Sequence, residues 1–493
     1  MDTKPPSGLE QALAAKLAKR ELQSRLRRLT INPSGNIDFS SNSYLSLSDV
    51  PELRKSFLDL VQVHASQQSS VTSSTFLGSG GSRLLDGNST FTESIERDIA
   101  TFHGAPAGLF FNSGFDAQVG LLSCLPQPGD IFIYDELIHA SAHDGMRQSR
   151  AAQRLPFSHN LVHATSESQV RSVSLPSLDQ ALCKVLSSND GQIIKQGKAS
   201  VFVVVESVYS MDGDVAPLLE IVNTVRQRLP HGNGYIIVDE AHSTGLFGQN
   251  GRGLVCELGL EKDIFARVHT FGKAIGASGA IVLSSPVVRE YLINYARTLI
   301  YTTAMSFPNL ASIRVVYDFL ASGSSDVLLR RLRTLVQRMH RQLLSICAEG
   351  KVSPTLLRVR IEAPATPIIP LFTSKPRKLA QYCGQNGITV RPIVPPTVPR
   401  GTERVRICVH AGNTIEEVDG FARVVKGWVS SITRGQTGDK KKPNYESKAD
   451  GVILSIEIII KESPSGPSVT LDEMNNLARR EAIVDAYADV LTY

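Results

Sequence analysis

The sequence predicts an α/β protein in two parts: a large domain with a mainly parallel sheet flanked by helices, and a smaller C-terminal α+β domain. Two observations carry that expectation. Between residues 50 and 310, short apolar runs alternate with stretches of helical periodicity, the pattern of βαβ units. From about Pro308 to Ser345 the chain turns largely helical, then gives way to short, proline-punctuated elements. With 493 residues, 42% of them hydrophobic and 20% charged, there is material for a large core.

Taken in order, Leu9 to Leu29 has helical periodicity and Asn32 to Gly35 supplies a turn, so residues 1–50 read as an N-terminal helical arm. Leu109–Phe111, Ile131–Tyr134, Val201–Val205, Tyr235–Val238 and Ala280–Leu283 read as strands of a large domain over residues 51–307. Thr366–Leu371 and Val405–Val409 are the strand candidates of a small domain over 308–434. After Arg434 the composition becomes linker-like, with a β-prone run at Val452–Ile460 and a helical pattern over Leu471–Leu491. This tail, residues 435–493, is assigned no role; a disordered extension and an added interaction segment are both open readings.

Composition narrows the partners. Lys and Arg number 52 against 47 Asp and Glu, a formal charge of +5 with no basic block of nucleic-acid-binding length, so anionic small molecules are the expected ligands. The six cysteines are scattered without a C-x-x-C pair or a His cluster at ligand spacing, which points to reduced thiols and no metal site. No run reaches the ~20 apolar residues of a membrane span, and no signal-peptide core follows the N-terminus. A cytoplasmic enzyme is the default expectation. Asp2, Glu10 and Glu21 sit poorly with a mitochondrial presequence, and the final Leu-Thr-Tyr is not a peroxisomal signal, though both organelles stay open.

Two segments 34 positions apart (273 − 239) carry the chemistry. Val-Asp-Glu-Ala-His, from Val238 to His242, follows an apolar run, so Asp239 is expected at the carboxyl end of a strand, where open α/β sheets place ligands. A carboxylate there can hold a proton on a heterocyclic nitrogen. Thr-Phe-Gly-Lys, from Thr270 to Lys273, sets an amine three residues after a hydroxyl and just before the Gly-rich stretch Gly276–Gly279. Together they read as a Schiff-base lysine and its pyridinium partner, the protein's half of pyridoxal 5'-phosphate chemistry.

The remaining motifs are weaker alone. Asn112-Ser113-Gly114-Phe115 lies between a strand and a helical stretch, where backbone amides and the helix dipole can receive a phosphate, although many such turns bind nothing. His139, just after a strand end, can stack on a planar ring or simply cap a helix. Glu206 closes another apolar run and leads to the turn-rich Ser210–Asp214, while His242 can donate to a phenolic oxygen. Gly78 to Arg83 reads as a loop pressed against a ligand or neighbouring subunit and lacks the Gly-Lys-Ser/Thr of a Walker A loop. Arg406, in an alternating run, can present a guanidinium to a substrate carboxylate, though an exposed strand arginine is the ordinary reading.

In this order the motifs resemble the α-oxoamine synthases, fold-type I pyridoxal-phosphate enzymes that condense an amino acid with an acyl thioester and lose CO2. Phe39-Ser40-Ser41-Asn42, Gly78–Leu85, Thr270–Gly279, Leu299-Ile300-Tyr301 and Pro396-Thr397-Val398-Pro399 carry the likeness, which spans roughly residues 10 to 430 and is strongest to the biotin-synthesis branch. The resemblance implies that Lys273 is the Schiff-base lysine, that Asp239 pairs with the ring nitrogen and that His139 stacks on the ring. It places His242 and Ser210 near the phenolic side, Gly114 and Phe115 in backbone contact with the cofactor, and Thr270, with Thr303 of a partner subunit, at the phosphate. Arg406 would grip the amino-acid carboxylate, and Arg27 and Thr397 match acyl-substrate positions. It further implies a homodimer acting on L-alanine and pimeloyl-CoA. A glycine-using or secondary-metabolism synthase, a transaminase and a non-catalytic partner subunit are the alternatives. Gln118, Val394 and Ser306-Phe307 depart from the family's usual Asn, Arg and Pro-Pro, the last two in stretches expected near the acyl channel.

Overall fold

The computed structural model describes residues 7–23, 25–67, 76–164, 175–188, 191–349 and 352–438. The expected strand and helix beyond Val452 lie outside them.

Seven strands form the central sheet: β2 (Ala107–Phe111), β3 (Ile131–Asp135), β4 (Gln153–Phe157), β5 (Val201–Glu206), β6 (Gly234–Asp239), β7 (Ala266–Thr270) and β8 (Ala280–Ser284), with β1 (Ile37–Asp38) lying elsewhere. Their spatial order is β2-β8-β7-β6-β5-β3-β4, and every pairing is parallel except the two made by β8. The interior strand β5 is buried at all six positions, because helices cover both faces and neither face can be polar. At the margin β2 and β8 alternate strictly. Phe110, Ile281 and Leu283 enter a core shared with the C-terminal part of the chain, while Leu109, Phe111, Ala280 and Val282 enter the core on the opposite face.

A three-stranded antiparallel sheet, β11-β12-β9, is made of Arg391–Ile393, Arg404–Cys408 and Ile368–Phe372, and β10 (Ile388–Thr389) pairs with β1. The N-terminal segment thus returns to the far end of the chain. Phe39 receives a hydrogen bond from the Cys408 amide, Tyr44 one from the Ala411 amide, and the buried Phe39 ring stands 5.3 Å from Phe421. Helices Phe307–Ala321 and Asp326–Ala348 occupy the stretch expected to be helical, and the last helix, Ile415–Gly438, runs straight through Arg434.

Three elements differ from the sequence expectation. The N-terminal helix spans only Gly8–Leu22 and buries none of its residues, so no packed face exists to carry it on to Leu29. The strand β7 interrupts its apolar pattern with Arg267 and His269, both buried: Arg267 donates to Cys256 Sγ and the His103 carbonyl, and His269 Nδ1 lies 2.9 Å from Thr244 Oγ1 while its Nε2 has no hydrogen-bond partner among the described residues. The edge strand β4 includes Arg154 and Pro156, which an outermost strand tolerates. Among the described residues no helix is long and apolar enough to cross a membrane, and the six cysteines are free.

Candidate active site

The carboxyl ends of β3, β5, β6 and β7 bring Asp135, Glu206, Asp239 and Thr270 to one edge of the sheet. Glu206 and Asp239 are direct partners in the β5–β6 register. Burial drives the Glu206 carboxyl well above its ordinary range, the Asp239 charge beside it adds to the effect, and the His139 backbone N–H donates to it in opposition. Asp239 is held at both oxygens: Oδ2 accepts from Gln118 Nε2 at 2.9 Å and Oδ1 from the Ala241 amide at 2.8 Å. This carboxylate is aimed by its surroundings, not by a cation.

Lys273 follows β7 on a short loop closed by the Gly276 amide on the Lys273 carbonyl at 3.0 Å. Its Nζ lies 2.8 Å from His242 Nε2, and His242 Nδ1 lies 2.8 Å from the Tyr44 hydroxyl. Enclosure of the amine pulls it down to about 8, with Asp239 and Glu206 opposing and Arg406 reinforcing the shift. Burial also holds His242 well below its usual value, so the ring is neutral and bonds through one N–H and one lone pair.

From Tyr44 the network continues to the small sheet. Arg406 Nη2 donates to the Tyr44 hydroxyl at 3.1 Å and to Asn42 Oδ1 at 2.9 Å, and its Nε donates to the Ser210 carbonyl. The guanidinium is 6% exposed and its plane is fixed by these acceptors, which is what a bidentate carboxylate grip requires. Ser210 therefore contributes its backbone here. One continuous path of hydrogen bonds joins Lys273, on the large sheet, to Arg406, on the small one.

A second feature sits at the start of helix Gly114–Cys124. Ser113 caps it by accepting from the Asp116 amide at 3.0 Å, which leaves the first amides of the helix unused by the backbone. A Cβ on Gly114 would stand 3.1 Å from Thr270 Oγ1, so the approach of this helix end to the β7 terminus depends on glycine. Asn112 Nδ2 donates to the Thr303 carbonyl at 2.7 Å, bringing the exposed Thr303 of the same protomer close to this cradle. Phe115 is 47% exposed.

His139 caps helix Ala140–Gln148, with Nδ1 2.8 Å from Ser141 Oγ. The ring is exposed and within electrostatic reach of Asp239 and Lys273. Two expected substrate residues stand apart from the hydrogen-bonded network: Arg27 is exposed in the stretch after the N-terminal helix, and Thr397 sits in a turn where its amide donates to the Val394 carbonyl at 3.1 Å. Sequence reasoning passed over Tyr44 and gave Gln118 no role. The signal for Gln118 is its place one helical turn past Gly114, facing the strand ends; for Tyr44 there is none without the β1–β10 pairing.

The profile of the family "Aminotransferase class I and II" matches residues 34–425. The chain belongs to that family. An 8-amino-7-oxononanoate synthase of Emericella nidulans is 49% identical over 429 residues, covering 87% of this chain and 98% of the relative. The aminoacyl transferase sphA of Aspergillus fumigatus is 35% identical over 442 residues, 88% of this chain and 89% of that one. A Sphingomonas wittichii serine palmitoyltransferase structure shares the fold, with a TM-score of 0.69 at 24% identity over 88% of this chain and 100% of its own. So does the 8-amino-7-oxononanoate synthase of Francisella tularensis, with a TM-score of 0.60 at 23% identity over 81% and 99%. This family member is accordingly a pyridoxal-phosphate-dependent acyltransferase of the α-oxoamine synthase type, with the fold-type I architecture.

Proposed function

We propose that the chain condenses L-alanine with an acyl thioester, pimeloyl-CoA, releasing CO2, CoA and 8-amino-7-oxononanoate for biotin synthesis. The observation that carries this reading is the hydrogen-bond path Lys273–His242–Tyr44–Arg406, which joins the amine read as the base to the guanidinium read as the carboxylate grip. The choice of acyl group is supported by the 49% identical Emericella nidulans relative.

The residues present fit pyridoxal phosphate. The glycine-dependent cradle between Gly114 and Thr270 suits its phosphate, with the Ser113, Gly114 and Phe115 backbone and, from a partner copy, Thr303 as further contacts. Gln118 Oε1 is buried without a partner among the described residues, which shows polar capacity left over beside Asp239. When bound, the cofactor supplies an aldehyde for covalent capture of the amino acid and a cationic ring that accepts electrons from its Cα. Lys273 would anchor it, Asp239 hold a proton on the ring nitrogen, the exposed His139 ring lie against its face, and His242, Glu206 and Ser210 border the remaining edges.

Arg406 orients the substrate by its carboxylate, and this is where the binding energy of the small polar substrate is concentrated. Lys273 Nζ, neutral once its amine has lost a proton, takes the Cα proton. His242 Nε2 stands against Nζ and keeps it pointed into the site. Carbon–carbon bond formation to the thioester carbonyl expels CoA as the thiol, and loss of CO2 followed by return of a proton to the same carbon completes the exchange. Arg27 and Thr397 belong to the acyl-substrate side in this reading. A homodimer is part of it as well: Leu9, Leu13 and Leu17 lie exposed along one stripe of the N-terminal helix, an apolar face suited to covering by a second copy.

The relatives named sphA favour a second reading, a synthase of the same chemistry with another acyl chain or with glycine. Purified enzyme given L-alanine or glycine with thioesters of graded length, with CoA release followed, separates the two. The proposal expects turnover with L-alanine and pimeloyl-CoA; activity confined to glycine, or to long acyl chains, would contradict it. A further expected outcome concerns the cradle: Gly114→Ala weakens retention of pyridoxal phosphate by about tenfold or more, read from cofactor absorbance after dialysis, because the new methyl crowds Thr270 Oγ1.

A further inference from the structure

Outside the Lys273–Arg406 path lies a buried charged constellation that the mechanism above does not use. His159, two residues past β4, lies between two carboxylates. Its Nδ1 stands 2.9 Å from Asp135 Oδ1 and 3.1 Å from Oδ2, and its Nε2 stands 2.6 Å from Asp214 Oδ2. Both nitrogens therefore face acceptors, and only the imidazolium can donate to both. Asn160 completes the joint: its amide donates to Asp135 Oδ2 at 2.8 Å and its Nδ2 to Asp214 Oδ2 at 3.1 Å. The φ of Asn160 is +53°, a left-handed conformation that asparagine tolerates better than most residues.

What this joint holds is the loop Ser207–Ala216 between β5 and the following helix. The loop closes on itself, with the Tyr209 amide on the Asp214 carbonyl at 3.0 Å and the Ala216 amide on the Ser207 carbonyl at 3.0 Å. Its other side is pinned to the small sheet: Asp212 pairs with Arg404 at 2.6 Å and with Arg360 at 2.7 Å, and Thr366 Oγ1 donates to the Gly213 carbonyl at 2.8 Å. Ser210, two residues before Asp212 in the same loop, offers its carbonyl to Arg406 Nε.

We infer that His159 is a positioning residue for the reaction: as an imidazolium bridging Asp135 and Asp214 it fixes the Ser207–Ala216 loop, and through the Ser210 carbonyl it sets the aim of Arg406 at the substrate carboxylate. This rests on the reading of Arg406 as the carboxylate grip. A lysine in its place offers one charged point and cannot span both acceptors, whereas the two ring N–H groups point to opposite sides. The groups facing His159 are Asp135, Asp214, Glu136, which accepts from the His159 amide at 3.0 Å, and the edge-on Tyr209 ring at 4.4 Å; Arg360 acts on Asp214 from the small-sheet side. Burial opposes the ring's charge, but the bonds to Asp135 and Asp214 outweigh it and carry the imidazole up to about 10.

Three measurements test the inference. In the holoenzyme, His159→Gln keeps a donor for one carboxylate and loses the charge and the second bond; KM for the amino acid should rise about tenfold, with KM for the acyl thioester and kcat within about threefold. A purely structural role lowers the melting temperature and moves both KM values alike, and that result, or an unchanged amino-acid KM, overturns the inference. Calorimetric binding of propionate, a carboxylate without an amine, reads the same grip without turnover and should weaken by about tenfold in His159→Gln. Because the variant can fail to fold, the wild-type protein supplies an independent readout: the His159 ring signals in a proton NMR titration should stay those of an imidazolium from about pH 6 to about pH 9. A midpoint near the ordinary value of about 6.5 contradicts the bridge. If the wild type binds propionate yet condenses no thioester, the proposed reaction fails while this inference stands.

Discussion

Lys273→Ala is expected to abolish CoA release, lowering single-turnover condensation by ~10³-fold or more. The size of the effect follows from two losses at one atom. Nζ is the only amine hydrogen-bonded to His242 among the described residues, so no neighbour takes over its covalent role, and in the proposed reaction the same nitrogen is the base for the Cα proton. The base must be neutral to act. Since enclosure brings the amine down to about 8, the neutral fraction, and with it the proton-transfer step, increases as pH rises through that value. In cofactor-free protein the rate of Lys273 modification by an acylating reagent, mapped by peptide mass, should be half-maximal near pH 8. A variant that retains more than about a tenth of wild-type turnover would remove Lys273 from the chemistry.

Asp239→Asn carries the next largest effect, a fall in turnover of ~10²–10⁴-fold with the cofactor still bound. The carboxylate accepts from Gln118 Nε2 and from the Ala241 amide, an arrangement built for an acceptor at both oxygens. An amide must turn its NH2 toward one of those donors, so it loses a hydrogen bond and, with it, the charge that keeps a ring nitrogen protonated. Pre-steady-state absorbance separates the outcomes. Binding of pyridoxal phosphate should persist while the amino-acid-dependent spectral change slows; loss of binding with an unchanged chemical rate would assign Asp239 to retention alone.

Much of this site is legible in the amino-acid sequence. The continuous apolar runs of β5 and β6 are what strands buried on both faces must look like, so Glu206 and Asp239 fall at strand ends by inspection. Lys273 follows from a hydroxyl, an amine and glycines in close order. What stays hidden depends on partners far away in the chain. Arg267 and His269 make β7 look polar, yet inside the core His103 and Cys256 accept from Arg267, and Thr244 meets one nitrogen of His269. Tyr44 reaches His242 only because residues 37–44 fold back onto Ile388–Thr389 and Cys408, a pairing without local signature. His159 is invisible for the same reason, since Asp135 approaches it from the end of β3 and Asp214 from the loop after β5. The helix expected to reach Leu29 stops at Leu22, because periodicity alone does not hold a helix with nothing packed against it.

The central claim is that a single amine, Lys273 Nζ, carries the cofactor. Borohydride reduction of the holoenzyme, followed by digestion and mass mapping, tests it most directly. The account predicts one pyridoxyl-bearing peptide, modified at Lys273; a label on any other lysine, or none in a protein that turns over, would contradict it.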